Sequence, residues 1–310
     1  MNYEQFLLDL LEKDERYIIL TAENRAAMRN LPDKIKERFI DVGIAEQTMV
    51  GIAAGLALRG RIPIVHALST FLTMRAFEFI RTDVGIGNLP VKLMGAVAGF
   101  LSEANGPTHQ ALEDISIMRG IPNVNVFSPS DEEDMLIGLP KVLTSSNPFY
   151  IRYTNLKPAV EHKKEFEIGK AEIISEGTDA VILVHGVLLK QAIEAVKILM
   201  DSGRSVGIVN LRSLKPVDEE LVTKICKNSN LAVTLEDHFL TGGLYSILSE
   251  IMVRKHLSCS VLPIALENKW FKPVLLNDVL DYEKFDGRSI AEKINLELKI
   301  IRHSEHQYSI

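Results

Sequence analysis

The chain has 310 residues, 46% hydrophobic and 25% charged, the composition of a soluble globular protein with room for two domains of ordinary size. A formal charge of −6 without a long Lys/Arg run argues against a nucleic-acid surface or a polybasic membrane patch and leaves small-molecule chemistry. Only Cys226 and Cys259 occur, without metal-type spacing, so no disulfide framework is expected and a reducing cytoplasm fits.

The first residues lack a basic segment followed by an apolar core, and no stretch reaches the ~18 apolar residues that span a bilayer. A cytoplasmic location is expected. Tyr3, Phe6, Leu7, Leu10 and Leu11 recur at helical spacing and predict an amphipathic opening helix, followed by a buried strand over 17–21. Further strands are predicted at 39–42, 62–68, 91–97, 125–127 and 149–152, with helical patterns between most of them. This alternation favours a mainly parallel sheet with helices on both faces. The helix after Glu46 carries Gly51, Ala53, Ala54, Gly55 and Ala57, small residues that permit close packing.

Residues 155–177 turn polar and charged, as between domains. The expected division is therefore 1–160 and 161–310. A second alternating set follows, with strands near 180–185, 205–210, 231–235 and 261–265 and helices around 188–200, 218–227 and 243–255. The predicted fold class is α/β, two α/β/α domains, the second smaller. No short repeat or low-complexity tract interrupts them.

Three stretches could carry chemistry. Glu46 stands where an apolar strand turns into a packed helix; it either complements the helix dipole or meets a partner that needs a carboxylate. Phe71, Met74 and Phe77 fall on the next helical region, where apolar residues ordinarily form core, although aromatic rings there can also stack on a ligand. His109 lies in Gly106-Pro107-Thr108-His109-Gln110, a turn suited to a loop over a site, and is either idle or a proton carrier. His66, in an apolar strand, reads as a hydrogen-bonded core residue.

Taken together, Phe39 to Met49, Ser69-Thr70-Phe71-Leu72 and Asn105-Gly106-Pro107-Thr108-His109-Gln110 resemble the pyrimidine-binding domain of transketolase and of deoxyxylulose-phosphate synthase. The resemblance implies that Glu46 hydrogen-bonds the aminopyrimidine of thiamine diphosphate and shares a proton with it, so that the exocyclic nitrogen can act as a base. It implies that Phe71 stacks on that ring, with Met74 and Phe77 as further cofactor contacts. His109 would face the substrate and handle protons, with Asn105 and Arg152 as further substrate contacts.

Departures from the family pattern bear on the sugar. Asn105 replaces an acid and Val97 a histidine that helps hold a sugar phosphate, while the register of Arg152 against the family's phosphate-binding arginine is unsettled. Weakened phosphate recognition is expected. In the second half, Leu211 to Asp218 and Leu235-Glu236-Asp237-His238 with Gly242-Gly243 resemble the C-terminal domain of the same enzymes, and His238 is expected to be structural or interfacial.

No Gly-Asp-Gly segment of the kind that holds the diphosphate and Mg2+ occurs, so this chain is expected to hold no metal itself. The expected partner is a separate N-terminal transketolase subunit carrying that segment, in a two-plus-two heterotetramer acting on sugars, with no nucleic acid and no membrane. The implied activity is transfer of a two-carbon ketol unit, absent from the isolated chain. Two alternatives stand beside it: the β subunit of another thiamine-dependent enzyme, such as a 2-oxoacid dehydrogenase or a carboligase, and a non-catalytic assembly subunit.

Overall fold

In the computed structural model, which describes residues 1–307, the strands are β1 (Tyr17–Thr21), β2 (Phe39–Asp41), β3 (Ile62–Leu68), β4 (Lys92–Ala96), β5 (Asn125–Phe127) and β6 (Phe149–Arg152). They continue as β7 (Glu172–Ser175), β8 (Ala180–Val184), β9 (Val206–Asn210), β10 (Ser213–Lys215), β11 (Leu231–Phe239) and β12 (Ser260–Leu266). One sheet runs β10-β5-β6-β4-β3-β1-β2 and the other β12-β11-β8-β9-β7. All pairings are parallel except β10 with β5 and β7 with β9. Such sheets need both faces covered by helices.

Helices α1 (Tyr3–Lys13), α2 (Leu31–Ile35), α3 (Glu46–Leu58), α4 (Phe77–Phe79), α5 (Asp114–Arg119) and α6 (Glu132–Thr144) accompany the first sheet. Those of the second half are α7 (Leu189–Asp201), α8 (Glu219–Asn228), α9 (Leu244–Arg254), α10 (Leu276–Tyr282) and α11 (Gly287–Gln307). α1 starts where the Asn2 side chain accepts the Gln5 N–H at 3.0 Å, and its Tyr3, Phe6, Leu7 and Leu11 are buried. Burying such side chains contributes roughly 1.5–3 kcal/mol each, which is why the apolar spacing foretold the helix.

Three features depart from expectation. The strand predicted to end at 235 runs on to Phe239, because Glu236, Asp237 and His238 are buried with partners instead of forming a loop. β10 leaves the second half to pair with β5 at the edge of the first sheet, so more than a polar linker joins the halves. Correspondingly, one apolar cluster includes Met49, Ile80 and Val126 together with Val181, Leu211 and Leu244. Finally, the region predicted as ordinary helix after Thr70 contains two wide π-type turns, Phe71–Arg75 and Ile80–Gly85, flanking α4. Wide turns of this kind concentrate at functional sites because they re-aim side chains.

Among the described residues, no helix is long and apolar enough to cross a membrane. Cys226 and Cys259 are both free thiols.

Candidate active site

The C-terminal ends of parallel strands are where open α/β sheets place ligands. β2 leads through the left-handed Gly43, at φ +71°, into α3, whose first residue is Glu46. The N-cap Ala45 offers no side chain to the free N–H groups, so the carboxylate of Glu46 sits in an electropositive first turn. Glu46 is only 2% exposed. A carboxylate removed from water needs a donor, and Arg75 Nη1 supplies one at 2.8 Å.

Arg75 owes its place to the π-type turn. The Ala76 N–H reaches back five residues to the Phe71 carbonyl, and the Arg75 guanidinium carbon lies 4.3 Å above the centre of the Phe71 ring. Beside Phe71 stands His109, in an edge-to-face contact with ring centroids 5.2 Å apart at 68°. Its Nδ1 is 2.9 Å from Thr108 Oγ1, and the turn is closed by the His109 N–H donating to the Gly106 carbonyl. Glu46, Arg75, Phe71 and His109 thus form a continuous row built from three separate segments. Chemically it offers a buried carboxylate, a flat aromatic face and an imidazole, the features needed to orient a planar heteroaromatic ligand and move protons at its edge.

The remaining expected residues take varied positions. Met74 is half-buried, its sulfur accepting from Thr70 Oγ1 at 3.6 Å. Phe77, on α4, is partly buried against the core. Asn105 is exposed at the end of a 3₁₀ segment, Gly99–Asn105, where its amide donates to the Ser102 carbonyl. A cleft of about 490 Å³ lined by Phe239, Leu266, Lys269 and Trp270 lies in the second half and includes none of the row.

Arg152 has surroundings that conflict with the substrate role expected of it. Its Nε and Nη2 donate to Asp114 at 2.8 and 2.6 Å and its Nη1 to Asp237 at 2.6 Å, with the residue 4% exposed. A guanidinium with its edges on two carboxylates has no free fork for a phosphate. Burial opposes ionisation of Asp114, yet Arg152 outweighs it and holds that carboxyl below its usual range. Asp237, served by a single arginine N–H, is pushed up by burial. The arrangement is a brace between the halves of the chain.

Two histidines are likewise structural. His66 is buried with Nε2 3.1 Å from the Tyr3 hydroxyl, and burial pulls its pKa to about 3. His238, which burial holds at about 4, accepts the Ser116 N–H at Nε2 and donates from Nδ1 to the Phe239 carbonyl.

The amino-acid sequence matches the transketolase pyrimidine-binding domain over residues 3–158 and the transketolase C-terminal domain over residues 169–290. The chain belongs to the transketolase family. A relative from Methanocaldococcus jannaschii named a putative transketolase C-terminal section is 33% identical over 96% of this chain and 95% of its own length. A second, from Clostridium sp. (strain MSTE9), is a 6-deoxy-6-sulfo-D-fructose transketolase subunit, 36% identical over 81% of this chain and 79% of its own. The 1-deoxy-D-xylulose-5-phosphate synthase of Dictyoglomus thermophilum is 37% identical over 93% of this chain but only 47% of its own. Among solved structures, a split-gene transketolase described as an inactive β4 tetramer superposes with TM-score 0.85 at 29% identity, covering 96% of each chain. The transketolase-family chain therefore has the layout of a split enzyme's C-terminal section.

Arg75 is the site residue that sequence reasoning missed. Its signal was a cation four residues after Phe71, but ordinary helical geometry gave no reason to place it against Glu46. The dense small residues of α3 also gain a second meaning: Gly51 and Gly55 border open space, and Ile44, Ile52 and Leu58, before the helix, within it and at its last position, are exposed.

Proposed function

We propose that this chain is the C-terminal subunit of a split, thiamine-diphosphate-dependent transketolase, moving a two-carbon ketol unit from a ketose to an aldose. The observation that carries this reading is the row Glu46, Phe71 and His109 within a transketolase-family fold. The residues present fit the aminopyrimidine end of thiamine diphosphate: a carboxylate only 3% exposed in its side chain beside an aromatic face. Bound there, the cofactor supplies the carbanion-stabilising chemistry that breaking and forming carbon-carbon bonds next to a carbonyl requires.

Glu46 would hold the edge of the pyrimidine through its carboxyl group, and Phe71 would pack against the ring. His109 exchanges a proton with substrate oxygens. Met74 and Phe77 are secondary cofactor contacts and Asn105 a substrate contact. The diphosphate and Mg2+ belong to an N-terminal partner subunit that covers Glu46 in a two-plus-two assembly. The exposed Ile44, Ile52 and Leu58 on and beside α3 support such a cover.

The sugar is one without strong phosphate recognition. Val97 is apolar, Asn105 is uncharged, and Arg152 is committed to Asp114 and Asp237. The name of the Clostridium relative, a sulfo-fructose transketolase subunit, fits a substrate other than a sugar phosphate. The test is to combine the chain with its partner, thiamine diphosphate and Mg2+, and to compare paired phosphorylated and plain sugars. Ketose-aldose product supports transketolase action, decarboxylation of a 2-oxoacid overturns it, and a strong preference for the phosphorylated sugar removes the substrate reading.

A further inference from the structure

The side chain of Arg75 is 43% exposed while that of Glu46 is 3% exposed, so one partner of the ion pair is free to move and the other is not. The backbone at Arg75 is held, since its carbonyl accepts the Gln47 amide at 3.2 Å. Mobility is thus confined to the side chain. At its tip, one planar group does two things at once: it donates an edge N–H to Glu46 Oε2 at 2.8 Å and lays its face 4.3 Å above Phe71.

An aminopyrimidine ring has the same requirements. It is flat, presents nitrogen at its edge and stacks by its face, and it would use the same carboxylate and the same aromatic ring. Two planar groups cannot share that space. We propose that Arg75 is an internal placeholder for the cofactor's pyrimidine, holding Glu46 and covering Phe71 in the free chain and swinging outward when the cofactor enters.

This inference rests on the assignment of Glu46 and Phe71 under the proposed function. It adds a positioning residue with a defined cost and use. The cost is that only the fraction of molecules with Arg75 displaced can bind, which lowers apparent affinity by that fraction. The use is that a buried carboxylate never stands without a donor, since one planar donor replaces another. Outside the site, a displaced arginine remains tethered at the mouth as a cation.

The experiment measures binding of thiamine diphosphate with Mg2+ to the complex of this chain and its partner, by calorimetry and stopped-flow quenching. Arg75→Met and Arg75→Lys are compared with the native chain, and Glu46→Gln serves as the control. Arg75→Met should bind about 3- to 10-fold more tightly, with the gain in the association rate, and Arg75→Lys should fall between it and the native chain because an ammonium pairs without stacking. In the native complex, the Arg75 Nη1–H resonance should be protected from exchange without cofactor and lose that protection on its addition.

Weaker binding by Arg75→Met, or an Nη1–H that stays protected with cofactor bound, would make Arg75 a permanent part of the site and overturn the proposal. Unchanged affinity in Arg75→Met with weakened binding in Glu46→Gln would also overturn it while leaving the functional reading in place. Unchanged affinity in Glu46→Gln would remove that reading itself. Melting temperatures of each variant complex guard against misfolding, and Arg75→Lys carries the test if Arg75→Met fails to assemble.

Discussion

Arg152 Nη1 lies 2.6 Å from Asp237 Oδ1, and this contact ties the end of β6 to β11 across the two halves of the chain. The same guanidinium holds Asp114 at the start of α5, so one cation is shared by two fully buried acids. Close to it, Gly99 adopts φ +56°, and a Cβ there would come within 1.8 Å of Asp237 Oδ2. The loop that leads to His109 is therefore seated on the brace.

Replacing Arg152 with methionine should leave Asp114 and Asp237 buried without their cation. Removing one partner of a buried pair costs about 3–5 kcal/mol. Urea unfolding of the variant should show a lower midpoint which, multiplied by an unchanged slope, gives a loss of that size. A loss below about 1 kcal/mol, the scale of an exposed pair, would mean that the brace carries little.

A second clasp makes stability depend on pH. His162 lies between Asp131 and Glu172, with both ring nitrogens 2.8 Å from carboxylate oxygens. Burial opposes its charge, but the hydrogen bonds to Asp131 and Glu172 outweigh burial and raise its pKa to about 10. Burial likewise opposes the charge of Glu172, yet His162, the Lys163 N–H and Arg212 draw it down to about 2. A raised histidine contributes fully below its ordinary value of 6.5 and loses that contribution as pH rises through about 10. The glutamate contributes above its ordinary 4.5 and loses the contribution as pH falls through about 2. Melting temperature should thus decline from pH 7 to pH 10, and His162→Gln should flatten that decline. Parallel profiles for the two proteins would show that the proton resides elsewhere.

Glu46→Gln in the assembled complex should reduce turnover by about 10²- to 10⁴-fold, the usual contribution of a positioned acid or base. Assembly, followed by size-exclusion chromatography, should be unchanged. Near-native turnover would favour the assembly-only alternative.

Val97 follows β4 with φ +62°, a left-handed conformation that costs a β-branched residue roughly 1–2 kcal/mol. Asparagine tolerates that region, so Val97→Asn should stabilise the chain by about 1 kcal/mol, read as a higher urea midpoint. If the strained valine also shapes the sugar pocket, the ratio of rates with plain and phosphorylated sugars should shift towards the phosphorylated one. A destabilised variant with an unchanged ratio would count against both expectations.

Much of this architecture is written in local patterns. Apolar runs of strand length and helical spacing marked out most strands and several helices near their observed ends, since burial of one face constrains each segment separately, whereas β7, α10 and α11 were not anticipated. The last four residues of β11 escaped because Glu236-Asp237-His238 looks like loop chemistry until the backbone N–H groups of Leu244 and Tyr245, the guanidinium of Arg152 and the Ser116 N–H are brought to it. β10 is three residues long, too short for a period to register. Glu46, Phe71 and His109 were visible as motifs, whereas Arg75 was not.

Order along the chain was enough to specify two α/β layers, an acid at a strand-to-helix turn and a histidine in a Gly-Pro turn, because each depends on neighbours a few positions away. Which cation meets which carboxylate depended on folding: Arg75 reaches Glu46 across 29 positions and Arg152 reaches Asp237 across 85. Burial raises the cost of an unpaired charge only after distant segments have excluded water, so the choice of partner belongs to three-dimensional packing.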